Sequence, residues 1–148
     1  MDTNNDIKEM NKFLKGIHMG GTTFKDYLSK AENPELKNEI VKIIESFKRH
    51  EEAITNRIEK LGGDAADTLG IMGTMADFFE KLKLMSVNTD LEVCKQSLTA
   101  MEMGIKQGRK FIEQNGDLDD SLLSEVEAVV ADYDVHLKKI QTQMSKCK

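Results

Sequence analysis

Four long stretches of this 148-residue chain repeat apolar residues at alternating spacings of three and four. That period fits helices with one buried seam each and little else. The first stretch runs from about residue 5 to 31 and carries Ile7, Met10, Leu14, Ile17, Phe24 and Leu28. The second runs from about 34 to 61, with Leu36, Ile40, Ile43, Phe47, Ile54, Ile58 and Leu61. The third runs from about 90 to 114, with Leu91, Cys94, Leu98, Met101, Ile105 and Ile112. The fourth runs from about 121 to 144, with Leu122, Val126, Val129, Tyr133, Ile140 and Met144. Four amphipathic helices of similar length bury their seams best against one another, so the expectation is an all-α antiparallel four-helix bundle, one domain over 1–148.

The boundaries carry their own chemistry. Asn33-Pro34 is a cap residue followed by proline at the first helical position. Gly62-Gly63 suits a left-handed helix end. Thr89 with Glu92 three residues on reads as a capping box. Asn115-Gly116 ends the third helix, and Asp117, Asp119 and Asp120 place negative charge at the start of the fourth. The first and third connections are short, so each helix pair is a hairpin. The middle connection, from Gly62 to Thr89, is long enough to permit either a parallel or an antiparallel second and third helix. Within it, about residues 75–85 read as a short amphipathic helix with an apolar face of Met75, Phe78, Phe79 and Leu82. Such a face either packs on the bundle or offers a partner surface for a homodimer.

Composition narrows the partners. The net charge is −5 with no concentrated basic patch, which argues against nucleic acid and against an anionic membrane surface. No apolar run approaches the roughly 20 residues of a membrane span. The start, Met1 to Asp6, has no signal-peptide pattern. The two cysteines, Cys94 and Cys147, are far apart and form no CxxC pair, so they read as reduced thiols of a cytoplasmic protein. No Gly-rich phosphate loop or nucleophile elbow is present, and the reading leans away from an enzyme.

The two hairpins resemble each other. Ile17-His18-Met19-Gly20 aligns with Met101-Glu102-Met103-Gly104, and Tyr27-Leu28 with Phe111-Ile112. Phe47-Lys48-Arg49-His50 aligns with Tyr133-Asp134-Val135-His136. His18 stands 15 residues before Asn33 and His50 stands 17 after it, which puts both at one height. Glu102 and His136 are placed similarly about the turn near Asp117. All three histidines of the chain therefore fall in one layer with Glu102. Side chains that face each other at one level build the internal sites of bundles.

At these residues the chain resembles the ferritin-like superfamily. In its di-iron members the first helix of each hairpin supplies a Glu and the second supplies Glu-x-x-His. His50, Glu102 and His136 keep the residue type of that pattern, whereas His18, Phe47 and Tyr133 do not. A closer resemblance, over nearly the whole chain, is to a bacterial ferritin-like family known only as a domain of unknown function. It rests on Phe24-Lys25-Asp26-Tyr27-Leu28, Leu61-Gly62-Gly63, Gly70-Ile71-Met72-Gly73 and Asp90 to Glu102. The resemblance implies an up-down-down-up bundle with an extra helix in the crossover, and no established activity. Aromatic side chains cannot bridge two metals, so iron storage and di-iron oxidation are not expected.

Two readings of the layer remain. His18, His50, Glu102 and His136 suit one divalent ion (zinc, iron or manganese), with Tyr133, Asp132 and Phe47 around them. Alternatively the layer is a metal-free polar cluster in a structural or interaction module, its histidines satisfied by Glu102, Tyr133 and water.

Overall fold

The computed structural model describes residues 3–66 and 87–147. The expected short helix at 75–85, with Phe78, Phe79 and Leu82, lies outside the described residues, as do Gly70 and Gly73. Four helices run α1 (Thr3–Lys30), α2 (Pro34–Lys60), α3 (Asp90–Gln114) and α4 (Asp120–Lys146). Each of the four long helices expected is present, with ends within three residues of the predicted ones.

The caps at Asn33, Gly62 and Thr89 are those anticipated, and Asp119 adds one at the start of α4. Asn33 Oδ1 accepts hydrogen bonds from the N–H groups of Glu35 and Leu36, at 2.8 and 3.2 Å. Gly62, at φ +86, ends α2: its N–H reaches the Glu59 carbonyl, and that of Gly63 reaches Ile58. This double bond pattern needs a left-handed residue, which glycine adopts without the Cβ penalty. Gly63 has a second constraint, because a Cβ there would lie 2.6 Å from Ile7 of α1. Thr89 caps α3 by accepting from the Glu92 N–H, and Asp119 caps α4 by accepting from Ser121.

Contacts between helix ends decide the topology that the chain left open. The Asp90 carboxylate at the start of α3 accepts from the N–H groups of Glu32 and Asn33 in the α1–α2 turn. The end of α4 reaches the start of α2 through Gln143 Nε2 and Lys146 Nζ, both on Glu35 Oε1. So α3 starts where α2 starts and runs parallel to it, and the order is up-down-down-up. Helix α1 packs beside α2 and α3, and α4 completes the square against α2 and α3. The core consists of the predicted seams: Met10, Leu14, Ile17, Ile40, Ile54, Ile58, Val126 and Ile140 are all at most 1 % exposed. Burying each such side chain contributes about 1.5–3 kcal/mol. Among the described residues no helix is long and apolar enough to cross a membrane.

Candidate functional site

The four side chains of the predicted layer take separate directions. His18 leans across α1 toward α2. Its Nε2 lies 2.9 Å from the Ala66 carbonyl, and its Nδ1 lies 3.1 Å from Glu51 Oε1, off the line that a hydrogen bond needs. Asn11, two turns earlier on α1, holds the same segment: its side chain donates to Asp64 O and accepts from the Ala66 N–H. His18 is thus part of a clip that fastens the chain beyond α2 to the side of α1.

His50 faces α4, where its Nε2 lies 2.6 Å from Asp132 Oδ2. Ser46 Oγ donates to the same oxygen at 3.4 Å. His136 is buried, and its Nε2 has no hydrogen-bond partner. Burial pushes its pKa down and keeps the ring neutral; Asp132 opposes the shift, while Lys139, His50 and Arg49 add to it. Glu102 corrects the sequence reading. It is exposed and lines a cleft on the outer side of α3 and α4 with Lys106, Arg109 and Asp134. The cause is one step of helical rotation: Met101 occupies the seam at 1 % exposure, so its neighbour turns outward. Arg57 takes Glu125 as its partner, at 3.4 Å. Among the described residues no group of three or more histidine, cysteine or acidic side chains is placed to hold a metal ion. The residues do not fit a di-iron centre or the four-ligand site expected from counting heights.

Aromatic rings occupy the middle of the bundle instead. Phe47 and Tyr133, the positions where the di-iron pattern has glutamates, lie with ring centroids 5.4 Å apart. Phe24 stacks on Phe47 at 5.7 Å, and Tyr27 meets Phe24 edge-on at 5.3 Å. The ladder Tyr27–Phe24–Phe47–Tyr133 links α1 to α2 and α4. Burial pushes the phenols of both tyrosines up, that of Tyr27 to about 12, so both stay protonated at neutral pH.

Glycines on α1 and α3 make room for these rings. A Cβ on Gly20 would lie 2.5 Å from Phe47 Cε1, and one on Gly104 would lie 2.9 Å from Tyr133 Cε2. The aligned pairs of the two hairpins are therefore the same packing unit made twice: a glycine on the first helix, an aromatic ring on the second. Gly16 and Gly108 continue the two stripes one turn away. A Cβ on Gly16 would meet nothing within 4 Å. Between α1 and α3 the result is a groove of about 690 Å³. Its floor includes Phe24, Phe47 and Tyr133, and the Phe13–Phe111 pair, centroids 5.1 Å apart, closes one end. Lys12 and Lys110 stand at that same end, with Glu9, which pairs with Lys12 at 3.1 Å. The spacings Gly16-x-x-x-Gly20 and Gly104-x-x-x-Gly108 were the available sequence signal for this groove.

The family model for "Domain of unknown function (DUF2383)" matches residues 5–114, both helices of the first hairpin and all of α3. The chain belongs to that family. Among solved structures it is similar to the dodecameric thioferritin, a bacterioferritin-related protein of Bacteroides fragilis. That likeness has a TM-score of 0.79 at 14 % identity and covers 99 % of this chain and 88 % of that one. It makes the fold ferritin-like, as the resemblance implied. No curated protein matches the chain.

Proposed function

We propose that this DUF2383 chain is a binding protein built on a ferritin-like frame, and that its α1–α3 groove takes an elongated apolar ligand with one anionic group. The observation that carries this reading is the aromatic floor. The place where a ferritin-like bundle would keep bridging carboxylates holds two packed rings, and the space beside them opens outward. The groove volume falls in the range of small-molecule sites, about 300–1,000 Å³. Rings and glycines give it an apolar body, and the lysines at the Phe13–Phe111 end suit an anionic head. Binding at such a site draws mainly on burial of apolar area, with the charge fixing orientation.

A fluorescent fatty acid and its neutral methyl ester serve as probes. Saturable binding of the acid is expected, and Gly16→Phe, which projects a ring into open space, should weaken it at least tenfold without changing the helical circular dichroism. Lys110→Gln should weaken the acid and leave the ester unchanged. No saturable binding by either probe, or equal binding to Gly16→Phe, rejects the reading.

Two further observations bear on function. The unpartnered Nε2 of His136, within electrostatic reach of His50 and Asp132, favours a single metal at that corner of the bundle. Metal analysis of untagged protein tests it, and metal content unmoved by His136→Gln removes it. Association of several copies is favoured by the dodecameric neighbour, and the solution mass measured by sedimentation reads it directly.

A further inference from the structure

The two cysteines lie at opposite ends of the second hairpin's sequence but at one end of the bundle. Cys94 sits in the first turns of α3 and is fully buried, while Cys147 follows the last residue of α4 and is partly exposed. Because α3 starts where α4 ends, the antiparallel pairing sets the two thiols side by side, near enough for Cys147 to act on the ionisation of Cys94. Cys147 packs against the same apolar cluster that contains Cys94, and its Sγ also approaches the Gln143 carbonyl at 3.5 Å. The end of α4 is held in place, since Gln143 and Lys146 both bond Glu35 on α2. The two thiols thus lie in a fixed setting at the tethered end of α4.

We infer that Cys94 and Cys147 are a redox modification site that closes to an intramolecular disulfide under peroxide. The exposed partner reacts first. Cys147 thiol and hydrogen peroxide give a sulfenic acid and water. The Cys94 sulfur then attacks the Cys147 sulfur, the S–O bond breaks, and the Cys94 proton leaves with the hydroxyl as a second water. Two thiols lose two electrons in all and one peroxide becomes two waters. Burial pushes the Cys94 thiol up to about 12, with Cys147 next to it adding to the shift. A resolving thiol of that kind attacks slowly, so the pair acts as a latch that records sustained oxidation and not as a fast peroxidase. The closed form joins the start of α3 to the end of α4 and shortens the unfolded chain's freedom, which raises stability.

The full chain is incubated with hydrogen peroxide and measured by intact mass, by thiol titration in denaturant and by thermal unfolding. A loss of 2 Da is expected, with two titratable thiols falling to none and the unfolding midpoint rising. Dithiothreitol should reverse all three. Cys147→Ser, a change at the partly exposed residue that follows α4, should keep the wild-type helical signal, show no 2 Da loss and leave Cys94 titratable. Gains of 16, 32 or 48 Da with Cys94 still free would overturn the inference. So would a disulfide-linked dimer in place of the 2 Da monomer, or an unchanged mass after prolonged exposure.

Discussion

Gly16 and Gly20 stand one turn apart on the same face of α1, and alanine at each should have opposite effects. In an exposed or neutral helix interior, Gly→Ala gains about 1 kcal/mol, because alanine loses less backbone freedom on folding. At Gly16 a Cβ meets nothing within 4 Å, so the whole gain remains. For a chain of this size that is a rise of roughly 2–4 °C in Tm. At Gly20 the same atom would lie 2.5 Å from Phe47 Cε1 and 2.7 Å from Cζ. The ring cannot simply retreat: it has Phe24 at 5.7 Å and Tyr133 at 5.4 Å. Overpacking of this kind costs about 1–3 kcal/mol, which offsets or outweighs the helix gain. The two variants should therefore differ by about 1–3 kcal/mol, with Gly16→Ala above wild type and Gly20→Ala at or below it. Urea unfolding followed by far-UV circular dichroism measures both, provided the m-values agree. A second comparison isolates the cause. In a Phe47→Leu background, where the ring edge is gone, Gly20→Ala should lose most of its penalty. Equal shifts for the two glycines, or strict additivity with Phe47→Leu, would refute the glycine-on-ring geometry.

Two other perturbations read separate parts of the molecule. His136 is held neutral by burial, so its folded pKa lies below the ordinary value of about 6.5, and unfolding takes up a proton below that pH. Its contribution to stability is intact above about pH 6.5 and is lost as pH falls through the depressed folded value, at no more than one proton or about 1.4 kcal/mol per pH unit; His136→Gln should remove that slope, and an unchanged slope between pH 7 and 5 would count against a buried neutral ring. Asn33→Ala strips the α2 cap from the Glu35 and Leu36 N–H groups and should cost about 1 kcal/mol in the same urea assay, with no effect on binding of the fatty-acid probe.

Much of the frame was legible because its determinants are local. The seams, the Asn33-Pro34 start, the Gly62 stop and the Thr89 cap are each set within a few residues, and each stands where the chain implied. Topology was not local. The crossover allowed two arrangements, and what separates them is a contact between Asp90 and the α1–α2 turn, far apart in sequence. The cysteines were hidden for the same reason: only the antiparallel return of α4 beside α3 makes neighbours of Cys94 and Cys147.

The predicted ligand residues point apart for a different reason, which concerns angle and not height. Counting residues from a turn places a side chain along the bundle axis to within about one turn, since each residue advances only 1.5 Å. The same count says little about direction, because each residue also rotates the side chain by about 100°. His18 and Glu102 both stand one residue off their seams. Ile17 and Met101, each at 1 % exposure, hold the inward direction, so their neighbours must face elsewhere. His18 finds Ala66 and Glu51 on the flank, and Glu102 finds solvent. His50 and His136 lie on their own seams, yet His50 bonds Asp132 at the α2–α4 boundary because the ring positions three residues before each histidine, Phe47 and Tyr133, already fill the centre. With aromatics in place of the bridging carboxylates, those two positions offer an ion no carboxylate oxygen, and glycines at Gly20 and Gly104 are required for the rings to fit. The exchange of glutamate for an aromatic and the glycine stripes are thus one packing solution, and the groove between α1 and α3 follows from it.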